Sequence, residues 1–112
     1  MDMCTANVIA NMFDEDTPCA VIYACNTILD SLASMLDITE MDDTSSYAYC
    51  ILLARRHGMF TDEELDSLTD MFEYRDHCAT HIYVDDPDEE TKTKWKTLLF
   101  RTMADMYVKG MM

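Results

Sequence analysis

An all-α fold is predicted by three observations. The chain carries two glycines and two prolines in 112 residues, too little turn material for the many tight connections of an all-β protein. Its apolar residues, 49% of the total, recur along several segments at alternating steps of three and four, the repeat that lays one apolar stripe along a helix. Helix start and stop signals then punctuate the chain between those segments. A chain of this length makes one domain with a single modest core, and no internal repeat, low-complexity run or linker divides residues 1–112. The expected architecture is an up-and-down helical bundle of four long helices plus a shorter N-terminal helix, with short connections making neighbours antiparallel.

The first helix is expected from Met3 to Phe13, ending at the acidic group Asp14-Glu15-Asp16. Thr17-Pro18 starts the second, a capping hydroxyl followed by proline at the first helical position. Its core seam is Val21, Cys25, Ile28, Leu32 and Met35, with Ser31 and Ser34 off that seam. Asp37 to Asp43 is a polar connection. Thr44 or Ser45 opens a third helix carrying Tyr47, Tyr49, Cys50, Leu52 and Leu53. Gly58 stops it, and Arg55-Arg56-His57 before the glycine answer the negative end of the helix dipole. These three are also the simplest candidates for a basic patch.

Thr61-Asp62-Glu63-Glu64 reads as a capping box, a hydroxyl three residues before a glutamate. The fourth helix then runs Leu65, Leu68, Phe72, Arg75, Ala79 and Ile82 along one face, with Met71 and Cys78 beside it and Asp66, Asp70, Glu73 and His77 opposite. Val84 to Asp88, containing Pro87, breaks the chain. Asp88-Glu89-Glu90 supplies the acidic first turn of a last helix whose core face is Trp95, Leu98, Leu99, Met103 and Met106, and Gly110 ends it. Lys92, Lys94 and Lys96 are spaced by two and spread round that helix.

Composition bounds the function. Eight Lys+Arg against 22 Asp+Glu give a net charge of −14. Such a surface repels nucleic acid and favours partners with a basic face. The eleven methionines are adaptable core fillers, and a methionine-rich surface can also serve as a binding face. Five cysteines, Cys4, Cys19, Cys25, Cys50 and Cys78, form no C-x-x-C pair. An odd number on apolar helical segments points to free thiols in a reducing compartment. Met1-Asp2-Met3-Cys4 lacks the basic and apolar regions of a signal peptide, and no stretch reaches bilayer-spanning length. A cytoplasmic location follows (a host's cytoplasm for a phage or viral protein), with no membrane partner.

Arg75 is the unusual residue, because it falls on an apolar stripe and a guanidinium cannot shed its charge. The segment Tyr74-Arg75-Asp76-His77-Cys78-Ala79-Thr80-His81-Ile82-Tyr83 around it concentrates side chains capable of chemistry. Three readings are open. In one, Glu73, His77 and His81 share a helix side at successive steps of four, and a His-x3-His pair is the simplest helical zinc-binding element; no fourth ligand is evident. In another the segment is structural, Arg75 tied to a carboxylate and the histidines near a helix C-terminus interacting with its dipole.

The remaining reading is a resemblance. Leu52-Leu53-Ala54-Arg55-Arg56-His57-Gly58-Met59-Phe60, then Leu65 and Leu68, then Arg75-Asp76 and Ala79-Thr80-His81 resemble the HEPN superfamily, especially its mannitol-repressor-like members. His81-Ile82-Tyr83 is similar to the His-x-Tyr ending of some HEPN toxins. The resemblance covers about a third of the chain and rests on a short motif, an arginine followed by histidine. Asp76 stands where the family usually has asparagine, and five residues separate Arg75 from His81. The resemblance implies a helical bundle, commonly dimeric, whose active members cleave RNA without metal. Arg75 would hold the scissile phosphate or its transition-state charge, His81 would act as general base or acid, and Asp76 would orient either group. Many members are binding or regulatory modules instead.

Hydrolase arrangements, glycine-rich phosphate loops and nucleotide fingerprints are missing, so no cofactor is expected. Cys78 lies between two histidines, but neighbours on a helix diverge by about 100° per residue. The leading expectation is a non-enzymatic, strongly acidic binding protein that inhibits or regulates a macromolecule with a basic surface, of the phage- or viral-inhibitor or nucleic-acid-mimic kind. The alternative is a HEPN-type metal-independent endoribonuclease acting through Arg75, Asp76 and His81, with RNA as its partner.

Overall fold

The computed structural model describes residues 3–35, 46–80 and 84–108. They form five helices: α1 (Met3–Glu15), α2 (Thr17–Met35), α3 (Ser46–Arg56), α4 (Asp62–Thr80) and α5 (Glu89–Val108). No strand occurs among the described residues. The fold is all-α, as expected. The described helix lengths are 13, 19, 11, 19 and 20 residues. The connection at 37–43 and the helix opening at Thr44 or Ser45 lie outside the described residues, as does Gly110. No described helix is long and apolar enough to cross a membrane.

Local chemistry sets each described boundary. The joint between α1 and α2 is the single residue Asp16. Its side chain accepts the Cys19 N–H at 3.2 Å, and its carbonyl accepts the Ala20 N–H at 3.0 Å. Asp16 is therefore the N-cap of α2, which corrects the assignment of that role to Thr17. Thr17 is buried instead, and its hydroxyl donates to the Phe13 carbonyl at 3.0 Å. The capping box at α4 forms as expected: the Thr61 N–H reaches Glu64 Oε1 at 2.9 Å, and the Glu64 N–H reaches Thr61 Oγ1 at 3.1 Å. Asp88 caps α5 by accepting the Thr91 N–H at 2.8 Å.

Gly58 closes α3 with a φ of 64°, the left-handed conformation that glycine adopts without steric cost. The Gly58 N–H donates to the Arg55 carbonyl and the Met59 N–H to the Ala54 carbonyl, both at 3.1 Å. This is a Schellman closure, which satisfies carbonyls that a helix end would otherwise leave open.

Helix α2 packs against each of the other four. Helices α1 and α4 also pack on α5, while α3 rests on α2 and α4. The seam Val21, Cys25, Ile28 and Leu32 is fully buried, and it meets Phe13 of α1, Leu65, Leu68, Met71 and Phe72 of α4, and the face Trp95, Leu98, Leu99, Met103 and Met106 of α5 in one core. Burying a side chain of this size contributes about 1.5–3 kcal/mol. Two residues depart from expectation. Ser31 is buried, which its hydroxyl tolerates by donating to the Thr27 carbonyl at 2.8 Å. Ala79 is exposed, so the core stripe of α4 fades beyond Arg75 within the helix; Ile82 lies outside the described residues.

Replacing Phe72 with alanine is expected to lower the free energy of unfolding by about 3–5 kcal/mol, whereas Asp70→Ala, on the exposed face of the same helix, should stay within about 0.5 kcal/mol. Urea denaturation of the two variants checks this.

Candidate functional site

Arg75 sits one turn beyond Phe72, where the apolar face of α4 leaves the core. Its guanidinium carbon lies 5.3 Å from the centre of the Phe72 ring, and Nη2 is 3.3 Å from Asp76 Oδ1. The side chain keeps 21% exposure and that of Asp76 keeps 52%. The stem and guanidinium plane thus cover a core aromatic while the charge stays at the rim, an arrangement that cation–π attraction favours. The stripe position is thereby reconciled with the charge. Asp76 and His77 are exposed, and Glu73 and Asp70 are exposed on the outer face of α4. His81 lies outside the described residues. Arg75 and Asp76 are therefore together, and the pairing with His81 is an expectation carried forward.

Beneath Arg75 lies a group of thiols and a phenol. Cys25 is fully buried, and its thiol faces the Met71 carbonyl at 3.7 Å. Burial pushes its pKa up to about 12; Arg75 pulls the other way, and Asp76 and Cys78 add to the rise. A thiol held neutral in this way is no nucleophile at physiological pH. Tyr74 packs its ring against Trp95, with centroids 5.5 Å apart and planes inclined at 52°. Its hydroxyl oxygen is buried without a hydrogen-bond partner among the described residues. Burial raises the Tyr74 pKa, and the nearby Cys78, Asp86 and Asp16 raise it further; the Cys78 thiol interacts with the phenol across one turn without meeting hydrogen-bond geometry. Burial likewise lifts Cys78, with Tyr74 opposing and Asp86 reinforcing. None of these groups is poised for proton transfer near neutral pH.

No group of three His, Cys, Asp or Glu side chains suited to a metal ion occurs among the described residues. Of the three residues considered for zinc, Glu73 and His77 are exposed on α4, and His81 lies outside the described residues.

A second polar centre escaped the sequence reading. Arg101 of α5 donates from Nη1 to both oxygens of Glu64, at 2.9 and 2.7 Å, and from Nη2 to the Met59 carbonyl at 3.0 Å. Its Nε is 3.6 Å from Asp105, and its guanidinium lies over the Phe60 ring at 5.6 Å. One side chain thus ties α5 to the α3–α4 turn. Burial alone would raise the Glu64 pKa, but the Thr61 N–H and the Arg101 charge outweigh it and hold the carboxyl below its ordinary value. The capping box marked Glu64 in the sequence; nothing local linked it to a residue 37 positions away. Beside Arg101 a hollow of about 280 Å³ is lined by His57, Gly58, Met59, Asp105 and Val108.

Three lysines of α5 are also paired: Lys92 with Glu89 at 3.5 Å, Lys94 with Glu90 at 3.6 Å and Lys96 with Asp14 at 3.3 Å. No protein-family model matches this chain, and no curated protein or solved structure matches it either.

Because the folded-state pKa of Glu64 is depressed, its contribution to stability is present above its unfolded value and is lost as pH falls through the lower folded value. Glu64→Gln should flatten that acid limb of the stability–pH curve and cost about 1 kcal/mol at neutral pH, as read by urea denaturation across the acid range. Site-resolved alkylation provides a separate check. Exposed Cys19 should be modified in the native protein, slowly because its hydrogen bond and charge interaction with Asp16 raise its pKa, whereas Cys25 should react only after unfolding.

Proposed function

We propose that this chain is a small acidic binding protein that inhibits or regulates a macromolecule with a basic surface. One observation carries the reading. Asp62, Asp66, Asp70 and Glu73 are all exposed along the outer face of α4, forming a row of negative charge about 16 Å long at 1.5 Å rise per residue. Asp85, Asp86, Glu89 and Glu90 are exposed as well. With the net charge at −14, such a face attracts a cationic groove and suits a nucleic-acid mimic better than a nucleic-acid reader. The proposal includes an up-and-down arrangement of the helices and a cytoplasmic setting.

A second reading, a HEPN-type metal-independent endoribonuclease, is favoured by Arg75 keeping partial exposure at the edge of the core with Asp76 beside it. In it Arg75 would bind the phosphate, His81 would transfer the proton, and a homodimer would bring two motifs together. The exposed carboxylates around Arg75 oppose the approach of RNA, which places this reading second.

Titration with a fluorescent lysine-rich polypeptide at increasing salt tests the first reading. Binding should weaken steeply with salt. The triple variant Asp66→Asn, Asp70→Asn, Glu73→Gln should bind roughly tenfold more weakly, a larger loss than from neutralising Glu15, Asp30 and Asp85. Equal losses would reduce the row to bulk charge. Metal-independent RNA cleavage in the presence of a chelator, abolished by both Arg75→Ala and His81→Ala, would replace the binding reading with the enzymatic one.

A further inference from the structure

The structure points to a second docking surface, on the outer face of α3, that takes an acidic amphipathic segment of a partner protein. Five cations, Arg75, Lys92, Lys94, Lys96 and Arg101, each lie within 4 Å of a carboxylate. Arg55 and Arg56 are exposed and have no carboxylate partner among the described residues, although acidic residues outnumber basic ones 22 to 8. Helix-end chemistry does not use them up. The carbonyls of Leu53, Ala54 and Arg55 are already taken by the N–H groups of His57, Met59 and Gly58, at 3.0, 3.1 and 3.1 Å, so closure of the helix at these carbonyls does not call on the guanidinium donors.

The same face carries an apolar anchor. Leu52, one turn before Arg55 and Arg56, is 47% exposed, and Ala48, one turn earlier still, is exposed. Steps of four, then three or four, place these residues on one stripe. Ala54 is buried, Ile51 packs against the core, and among the described helices α3 packs on α2 and α4. The stripe therefore faces away from the described core.

A leucine followed by two guanidinium forks suits a partner with an apolar side chain and carboxylates about one turn away, since the fork binds carboxylate in bidentate fashion. A nucleic acid would use the arginines but not Leu52, and its long backbone would meet repulsion from the rest of the surface. A short acidic segment touches only this corner. The surface is independent of the acidic row on α4 and opposite to it in sign, so a protein using both would join a basic partner to an acidic one.

The test is fluorescence anisotropy with a labelled helical peptide of glutamate and leucine at i, i+3, i+4 spacing, titrated with the full chain. Wild type should bind, and both Arg55→Glu/Arg56→Glu and Leu52→Asp should weaken binding at least about tenfold while keeping the wild-type circular dichroism spectrum. The α4 triple variant should bind the peptide unchanged. The α3 variants should still bind the lysine-rich polypeptide, which separates failure of this inference from failure of the basic-partner reading. Absence of wild-type binding, or equal binding by the α3 variants, overturns the inference. So does an RNA oligonucleotide that binds through Arg55 and Arg56 with indifference to Leu52, since the surface would then read phosphates.

Discussion

Everything in this fold depends on the burial of one seam. Val21, Ala24, Cys25, Ile28 and Leu32 show no exposure to solvent, and among the described helices the one that carries them is in contact with all the others. Because protein interiors are close-packed, a change of volume on this seam is felt by every helix resting on it. The surface, by contrast, is free to carry a large excess of negative charge. Its self-repulsion opposes compaction, and apolar burial at the centre must outweigh it.

Charge at the boundary between core and surface is handled in two ways. Arg75 spreads over a core phenyl ring and keeps its cation at the rim. Arg101 gathers Glu64, Asp105 and the Met59 carbonyl around itself, so that one partly exposed guanidinium joins elements distant in sequence. Both use the planar, permanently charged geometry of arginine, which lysine would not reproduce. Only Arg75 was conspicuous from its stripe position. Arg101 lies beside an apolar face, where a long cationic side chain is ordinary.

That contrast shows which parts of the molecule were legible in the sequence. The seam of α2 and the core face of α5 could be read because periodicity is a local property, and the capping box of α4 because both of its partners lie within one turn. The α2 start was misplaced by one residue because Asp16 and Thr17 are both capping types, and only the fold shows that Thr17 turns back into the core to bond Phe13. Burial of Ser31 was missed because α2 is covered on more sides than a single stripe accounts for. At the candidate site, the association of Arg75 with Asp76 was legible from adjacency. The thiol and phenol beneath it depend on how α2, α4 and α5 stack, which no local pattern encodes.

Gly58 has a consequence for which sequences can share this fold. A methyl group built on its α-carbon would meet nothing within 4 Å, so the position is under no pressure of space. Its demand is handedness, set by a φ of 64°. Most side chains carry a cost of about 1–2 kcal/mol in that conformation, while asparagine and aspartate are the exceptions that visit it. An evolving chain could therefore exchange Gly58 for asparagine and keep the α3 stop, whereas a small but β-branched replacement would strain the backbone despite fitting the space.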